Sequence, residues 1–440
     1  MKQLFFELAD HATRQLRGTE TLLTTFCGET SDFVRFNRAR VRQAGSVAQA
    51  WLRLTLIHQG RRLNSTLTVA FDRAGDQAAI AEAIQTMRSD LPTVPADPLL
   101  LYGTEVASSN LERSGRLPDA EEAVDCVIAA ADGADLVGIF ASGPVFRGFA
   151  NSLGQRNWHR VDSFQLDWSI YLGGDKAVKS TFASEAWNAQ EVTRRIQSAR
   201  DQLSFLAASP RAIEPGRYRA FLTPAAVDEL VGMLSWDGVS ARSQRTRQSA
   251  LQKLVDGEAT LSPMVTLREN TAESLAPAFD DSGFPRPARL ALISGGQHAG
   301  ALVSARTAKE YDIAANGANE DESMQSADLD GGALPMSDAL AALDRGILVG
   351  NLWYLNYSDR ASGRITGMTR FATFWVEGGQ IVAPLNVMRF DDSIYRMLGS
   401  ELQALTRERE WIQSRSTYGQ RSVESTRVPG ALLSSLTLTL

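Results

Sequence analysis

Ser46-Val-Ala-Gln-Ala-Trp-Leu-Arg-Leu-Thr-Leu-Ile-His58 sets Ala48, Ala50, Leu52, Leu54 and Leu56 on one side of an extended chain and Gln49, Trp51, Arg53 and Thr55 on the other. A period of two is what a strand with one buried face requires. Gln59-Gly60 turns the chain, and Leu63 to Ala70 reads as the return strand. Helical spacing flanks this hairpin. Leu4, Leu8, Ala12 and Leu16 form a stripe before it, and Ile80, Ile84, Met87 and Leu91 form another after it, ended by Pro92, Pro95 and Pro98. The first hundred residues therefore read as one helix, antiparallel sheet, helix unit.

The unit recurs. Asp119 and Glu122 make a capping-box-like start, Val124, Val127, Ile128 and Ala131 make the stripe, and Gly133 stands where a helix ends. Phe164, Leu166, Trp168, Ile170 and Leu172 then alternate up to Gly173-Gly174, and Val192, Ile196, Leu203 and Leu206 mark a closing helix. Leu52 to Leu166, Leu54 to Trp168 and Gly60 to Gly174 are each 114 residues apart, which reads as an internal duplication.

After Ser209-Pro210 and Pro215-Gly216 the pattern changes to short strands and glycine-rich turns, so the reading divides the chain into residues 1–212 and 213–440. Tyr218 to Leu222 alternates as a strand, and Thr223-Pro224 supplies an N-cap and a first-turn proline for a helix through Trp236. A second helix is expected to end at Gly257. From Arg289 onward strand blocks follow, including Ile347–Tyr357 and Met368–Val376, with turns at Gly295-Gly296 and Gly378-Gly379. The segment from about Asp392 to Trp411 reads as a helix. The acidic stretch Asn316 to Gly332 lacks periodicity and reads as a long loop or lid. The fold class is α+β: a duplicated helix, antiparallel-sheet, helix domain followed by a mostly β domain.

The chain has 440 residues, 44% apolar and 22% charged, with 45 basic against 51 acidic side chains. A net charge of −6 offers no general attraction to nucleic acid or anionic lipid. No run approaches the roughly 18 apolar residues of a membrane span, and the acidic residues Glu7 and Asp10 stand where a signal peptide needs an apolar core. A cytoplasmic protein is expected. Cys27 and Cys126 are too few for a disulfide framework and read as reduced thiols.

Few residues announce chemistry. No phosphate loop, dinucleotide fingerprint, nucleophile elbow or HExxH occurs. His11, His58, His159 and His298 are far apart, so none forms a local metal-ligand pair. Asp280-Asp-Ser-Gly283 reads as a turn rather than an acidic site. Arg38, Arg40 and Arg42 read as one solvated strand face, and Arg242, Arg245 and Arg247 as a second basic surface. Trp353, Tyr354, Asn356 and Tyr357 are candidates for contact with an extended peptide, against the plainer reading of buried strand aromatics.

Three ordered motifs carry a resemblance. These are Phe279-Asp-Asp-Ser-Gly-Phe-Pro285; Leu292-Ile-Ser-Gly-Gly296 with Ser304-Ala-Arg-Thr-Ala308; and Gly346-Ile-Leu-Val-Gly-Asn-Leu-Trp-Tyr-Leu-Asn-Tyr357, continued by Thr366-Gly-Met-Thr-Arg370 and Phe374-Trp-Val-Glu-Gly-Gly-Gln-Ile-Val-Ala-Pro-Leu-Asn-Val-Met-Arg-Phe390. Together they resemble the C-terminal signature of the TldD/PmbA family, over roughly residues 215 to 440. The resemblance implies a zinc metallopeptidase system of two related subunits, TldD and TldE (PmbA), assembling around a cavity that admits peptide or unfolded-protein substrates.

In the TldD-type subunit an HExxxH helix and a C-terminal cysteine hold the zinc, and the Glu is the general base. Here Asp228 and Met233 occupy the two histidine positions and only Glu229 remains, while Tyr418 stands for the cysteine. A catalytic zinc needs three protein ligands and an open position, and a thioether is a poor ligand for it. The resemblance thus implies a TldE-like subunit with no catalytic residue and no metal or other cofactor of its own, zinc being expected only in a TldD-like partner. Two alternatives stand beside it: a stand-alone homodimer that binds peptides, and a peptidase active through other ligands, with Asp228, Glu229 and His298 as candidates. The acidic composition gives no support to the gyrase-modulator description attached to the family.

Overall fold

This computed structural model describes residues 1–174 and 176–439. The chain begins α1 (Lys2–Thr13), β1 (Thr21–Asn37), β2 (Arg40–His58), β3 (Arg61–Thr68) and α2 (Arg73–Asp90). After a short β4 (Ser109–Arg113) the order repeats as α3 (Ala120–Ala130), β5 (Asp135–Asn151), β6 (Arg156–Gly173), β7 (Lys176–Ser184) and α4 (Ala189–Leu206). Thr21 of β1 and Asp135 of β5 are again 114 residues apart.

Seven strands form one sheet in the order β3-β2-β1-β5-β6-β4, with β7 also on β6. β1 and β5 lie antiparallel at its centre, where the two repeats join. The outer edge of β6 is shared end to end: β4 takes Asn157–Val161 and β7 takes Phe164–Gly173. Helices α1 and α2 bury Phe5, Leu8, Ile80 and Ile84 against Leu52, Leu54 and Leu56. Helices α3 and α4 bury Val127, Val192 and Ile196 against Leu166, Trp168 and Ile170. Each such side chain contributes on the order of 1.5–3 kcal/mol when removed from water. Asp72, Asp119 and Asn188 cap α2, α3 and α4 by accepting backbone N–H groups of the first turn.

The second part comprises β8 (Gly216–Leu222), α5 (Pro224–Ser235), α6 (Ala241–Arg245), α7 (Gln252–Val255), β9 (Leu267–Glu269), β10 (Leu290–Ser294), β11 (Gln297–His298), α8 (Ala305–Tyr311) and β12 (Ser326–Leu329). It continues with α9 (Ala339–Leu343), β13 (Gly346–Asp359), β14 (Arg364–Glu377), β15 (Gln380–Pro384), β16 (Arg389–Ser393), β17 (Leu402–Gln413) and β18 (Ser425–Leu438). Its eleven strands run β11-β10-β9-β12-β18-β16-β14-β13-β8, with β15 on β14 and β17 on β18. Because β8 pairs with both β13 and β18, strands β18, β16, β14, β13 and β8 close on themselves. Closure satisfies the strand edges it joins. Ala372 and Phe374 of β14 reach into the core beneath α3 and α4, so the two parts of the chain share apolar contact.

Several expectations are corrected. Of the segment expected as a helix from Asp392 to Trp411, only residues 394–400 are helical; from Leu402 onward it is strand β17, paired with β18. Bulges between Leu402 and Ala404 and between Leu405 and Arg409 stretch a period of two into the spacing of a helix. Asn316–Gly332 is not a loose lid: β12 lies within it, and Glu322 is fully buried, accepting from Ser240 Oγ at 2.6 Å and from the backbone N–H groups of Arg242 and Ser304 at 2.9 Å. Its charge is absorbed by donors distant in sequence. The helix ending at Gly257 is two short pieces, α6 and α7. Arg38 lies in the β1–β2 turn with φ 52°, so Arg38, Arg40 and Arg42 do not share one strand face.

Candidate functional site

Helix α5 carries the residues set against the zinc-binding pattern. Thr223 starts it, its Oγ1 taking the Ala226 N–H at 3.4 Å while donating to Gly350 O at 2.6 Å, with Pro224 in the first turn. Ala226, Val227, Leu230, Val231, Met233 and Leu234 are buried, and the helix packs on β13 and β18. Asp228 faces a cavity of about 370 Å3 between α5 and the stretch around Gln413–Thr426. Met233 is 5% exposed in the apolar core, and its carbonyl accepts the Tyr357 hydroxyl at 2.5 Å. Asp228 and Met233 are therefore not brought to a common point.

Glu229 meets a cation, and that cation is a side chain. Arg415 Nη2 lies 3.2 Å from Glu229 Oε1. Asp228 is half-buried, and desolvation pushes its carboxyl up to about 6, against a hydrogen bond from Thr426 that favours the charged form. A zinc ion does not fit these donors. One carboxylate is held by a guanidinium that would repel a metal, the thioether is sealed in the core, and no imidazole or thiolate is present to replace them. Among the described residues no three His, Cys, Asp or Glu side chains group where they could hold a metal.

Arg415 is positioned by the loop between β17 and β18. Ser414 N donates to Glu424 O at 2.9 Å and Gln413 Nε2 to Ser422 O at 2.9 Å, closing the loop at its base. Farther out, Arg421 is fully buried in the sheet of the first repeat pair, where it donates to Gly143 O at 2.8 Å and to Ser163 O and Oγ at 2.7 Å each. Gln49 Nε2 donates to Gly419 O at 2.6 Å. Tyr418, at the loop tip, is 97% exposed; it is not gathered with Asp228, Glu229 and Met233.

The aromatic candidates form a second feature. Trp353 is 40% and Tyr354 81% exposed, Asn356 is exposed, and Tyr357 is half-buried, with burial pushing its hydroxyl pKa up. Tyr354 and Phe371 hold positive φ angles of 57° and 59°, so bulges re-aim their side chains. Trp353 and Phe371 meet edge to face with ring centres 6.2 Å apart, and the Arg370 guanidinium lies beside both, 5.3 and 5.5 Å from the two centres. β8 pairs with β13 only at Ile347–Val349, so among the described residues Asn351–Asp359 has strand neighbours on its β14 side alone.

The remaining candidates scatter. His298 sits on β11 at the far end of the eleven-stranded sheet and does not line the Asp228 cavity. Asp280 is a turn residue whose Oδ1 accepts the N–H groups of Ser282 and Phe284 at 2.9 and 2.8 Å. Arg247 pairs with Asp256 at 2.7 Å and Arg245 lies over the Tyr311 ring. Arg242 borders a larger cleft of about 680 Å3 between the two parts of the chain, spanned by Arg53–Asp281, Arg62–Glu320 and Arg306–Asp97 pairs at 4.0, 3.8 and 2.9 Å.

Sequence reasoning missed Arg415, Arg421, Gln413 and Glu424. Arg415 stands 186 positions from Glu229, and no local spacing links them. Membership of a carboxylate-rich cavity is a property of the folded chain alone.

Residues 215–440 match the sequence pattern of the PmbA/TldA metallopeptidase C-terminal domain. No curated protein matches the chain in sequence. Solved structures of similar shape include TldE from Thermococcus kodakarensis (TM-score 0.77, 14% identity, covering 99% of this chain and 100% of that one). A protein from Thermotoga maritima described as a candidate modulator of a DNA gyrase follows (0.76, 14%, 99% and 99%). One from Bacteroides thetaiotaomicron with a similar description gives 0.71, 16%, 100% and 98%. At these identities the likeness shows a common fold.

Proposed function

The chain belongs to the TldD/PmbA family of metallopeptidase-related proteins, and we propose that it is a metal-free, TldE-like subunit. In this reading it pairs with a zinc-bearing, TldD-like subunit and helps wall a chamber in which peptides are processed. The observation that carries the reading is the Arg415–Glu229 pair. A guanidinium held against the one residue retained from the zinc-binding pattern already supplies that carboxylate with a positive charge and opposes a metal beside it. The β13 edge at Asn351–Asp359, with Trp353 and Tyr354 exposed, suits an extended peptide added as a strand.

The test is coexpression with a TldD-like protein that carries HExxxH, followed by tagged purification and metal analysis. The expected result is a stable complex with zinc in proportion to the partner alone. A chain that remains a homodimer beside that partner, or that holds stoichiometric zinc when purified by itself, overturns the proposal.

A further inference from the structure

The cavity beside Asp228 has a composition that selects its ligand. Its volume of about 370 Å3 is within the range of small-ligand sites. Two carboxylates, Asp228 and Glu424, line it, and among the described residues neither joins an ion pair. Gln413 lines it too and is 1% exposed. Its Nε2 donates to Ser422 O at 2.9 Å, which fixes the amide and leaves Oε1 as a buried acceptor with no partner. Arg415, the cation at the cavity, is committed to Glu229.

The cavity thus offers an excess of acceptors and a negative charge. We infer that it binds a primary ammonium group, supplied by the free amino end of a peptide or by a lysine side chain. An ammonium carries three donors and no acceptor, so its chemistry matches a cavity lined by two carboxylates outside any ion pair and by an amide whose oxygen lacks a donor. An anion would face two carboxylates. A divalent metal would lack a third ligand of the usual kind and would sit beside a guanidinium. The ammonium follows from the cavity; naming a peptide as its carrier rests on the function proposed above.

The experiment is calorimetric titration of the full chain at neutral pH with n-butylammonium and with butyrate. n-Butylammonium is expected to bind and butyrate not to. Asp228→Asn and Glu424→Gln, which keep size and shape, are each expected to weaken n-butylammonium about tenfold, the scale of one charge-assisted hydrogen bond. Two tripeptide amides then separate the sources. Ala-Ala-Ala-amide presents only an amino end, and N-acetyl-Ala-Lys-Ala-amide only a lysine; binding of either supports the inference and names the source. Absence of n-butylammonium binding, equal binding of N-acetyl-Ala-Ala-Ala-amide, or unchanged affinity in Asp228→Asn overturns it. Because these titrations use the chain by itself, they can fail while the complex with a TldD-like subunit still forms, and the reverse.

Discussion

At the scale of single residues, the charges that matter are those removed from water. Arg421 is the clearest case: burial lowers its pKa to about 10, with Glu29 and Asp162 as the opposing charges, and three acceptors depend on its guanidinium. Arg421→Ala leaves Gly143 O and Ser163 O buried without their donors. Urea unfolding should show a loss of about 3 kcal/mol or more. Arg421→Lys should recover less than half of it, since one ammonium cannot reproduce the fork. A loss under about 1 kcal/mol would mean that water enters and replaces the side chain. The candidate site divides at this scale. Asp228, Glu229 and Met233 could be singled out in the sequence because they interrupt a pattern, whereas Arg415 and Gln413 act only through neighbours brought by folding.

At the scale of elements, alternation exposed β2 and β6, whose Leu52, Leu54, Leu56, Leu166, Trp168 and Ile170 face the helices. β1 and β5 gave no such signal. They carry runs of consecutive buried residues, because one side of the sheet packs on helices and polar side chains such as Glu29 and Ser31 on the other receive the β17–β18 loop. Their junction depends on Gly143, at φ 136°, where a Cβ would come 2.1 Å from Thr30 O. Gly143→Ala should therefore cost about 2–4 kcal/mol in chemical denaturation. Gly45→Ala, with nothing near its Cβ, serves as the control and should change stability little. Equal behaviour of the two variants would contradict the close approach of β1 and β5.

At the scale of the whole molecule, His159 links the two parts of the chain: its Nε2–H donates to Leu275 O at 2.8 Å from a buried position on β6. Burial, with Arg147, Arg113 and Arg286 nearby, lowers its pKa from 6.5 to about 4. The unfolded chain thus binds the proton first as pH falls. The stability is fully present above about 6.5 and is lost progressively down to about 4, a change on the order of 3 kcal/mol. His159→Gln keeps a donor without the titration, so the stability difference between the two proteins should shrink or reverse across that window in urea titrations. A difference that stays constant with pH would show that His159 is solvated. The sequence by itself determined the repeat, the α+β class, the family signature and the breaks in the zinc-binding pattern, because each is written in spacing along the chain. Only the tertiary structure decided that β17 is a strand, that Glu322 is buried, and that Arg415 meets Glu229 beside an acceptor-lined cavity. Those outcomes depend on which distant segments supply hydrogen bonds and counter-charges, and local periodicity carries no record of them.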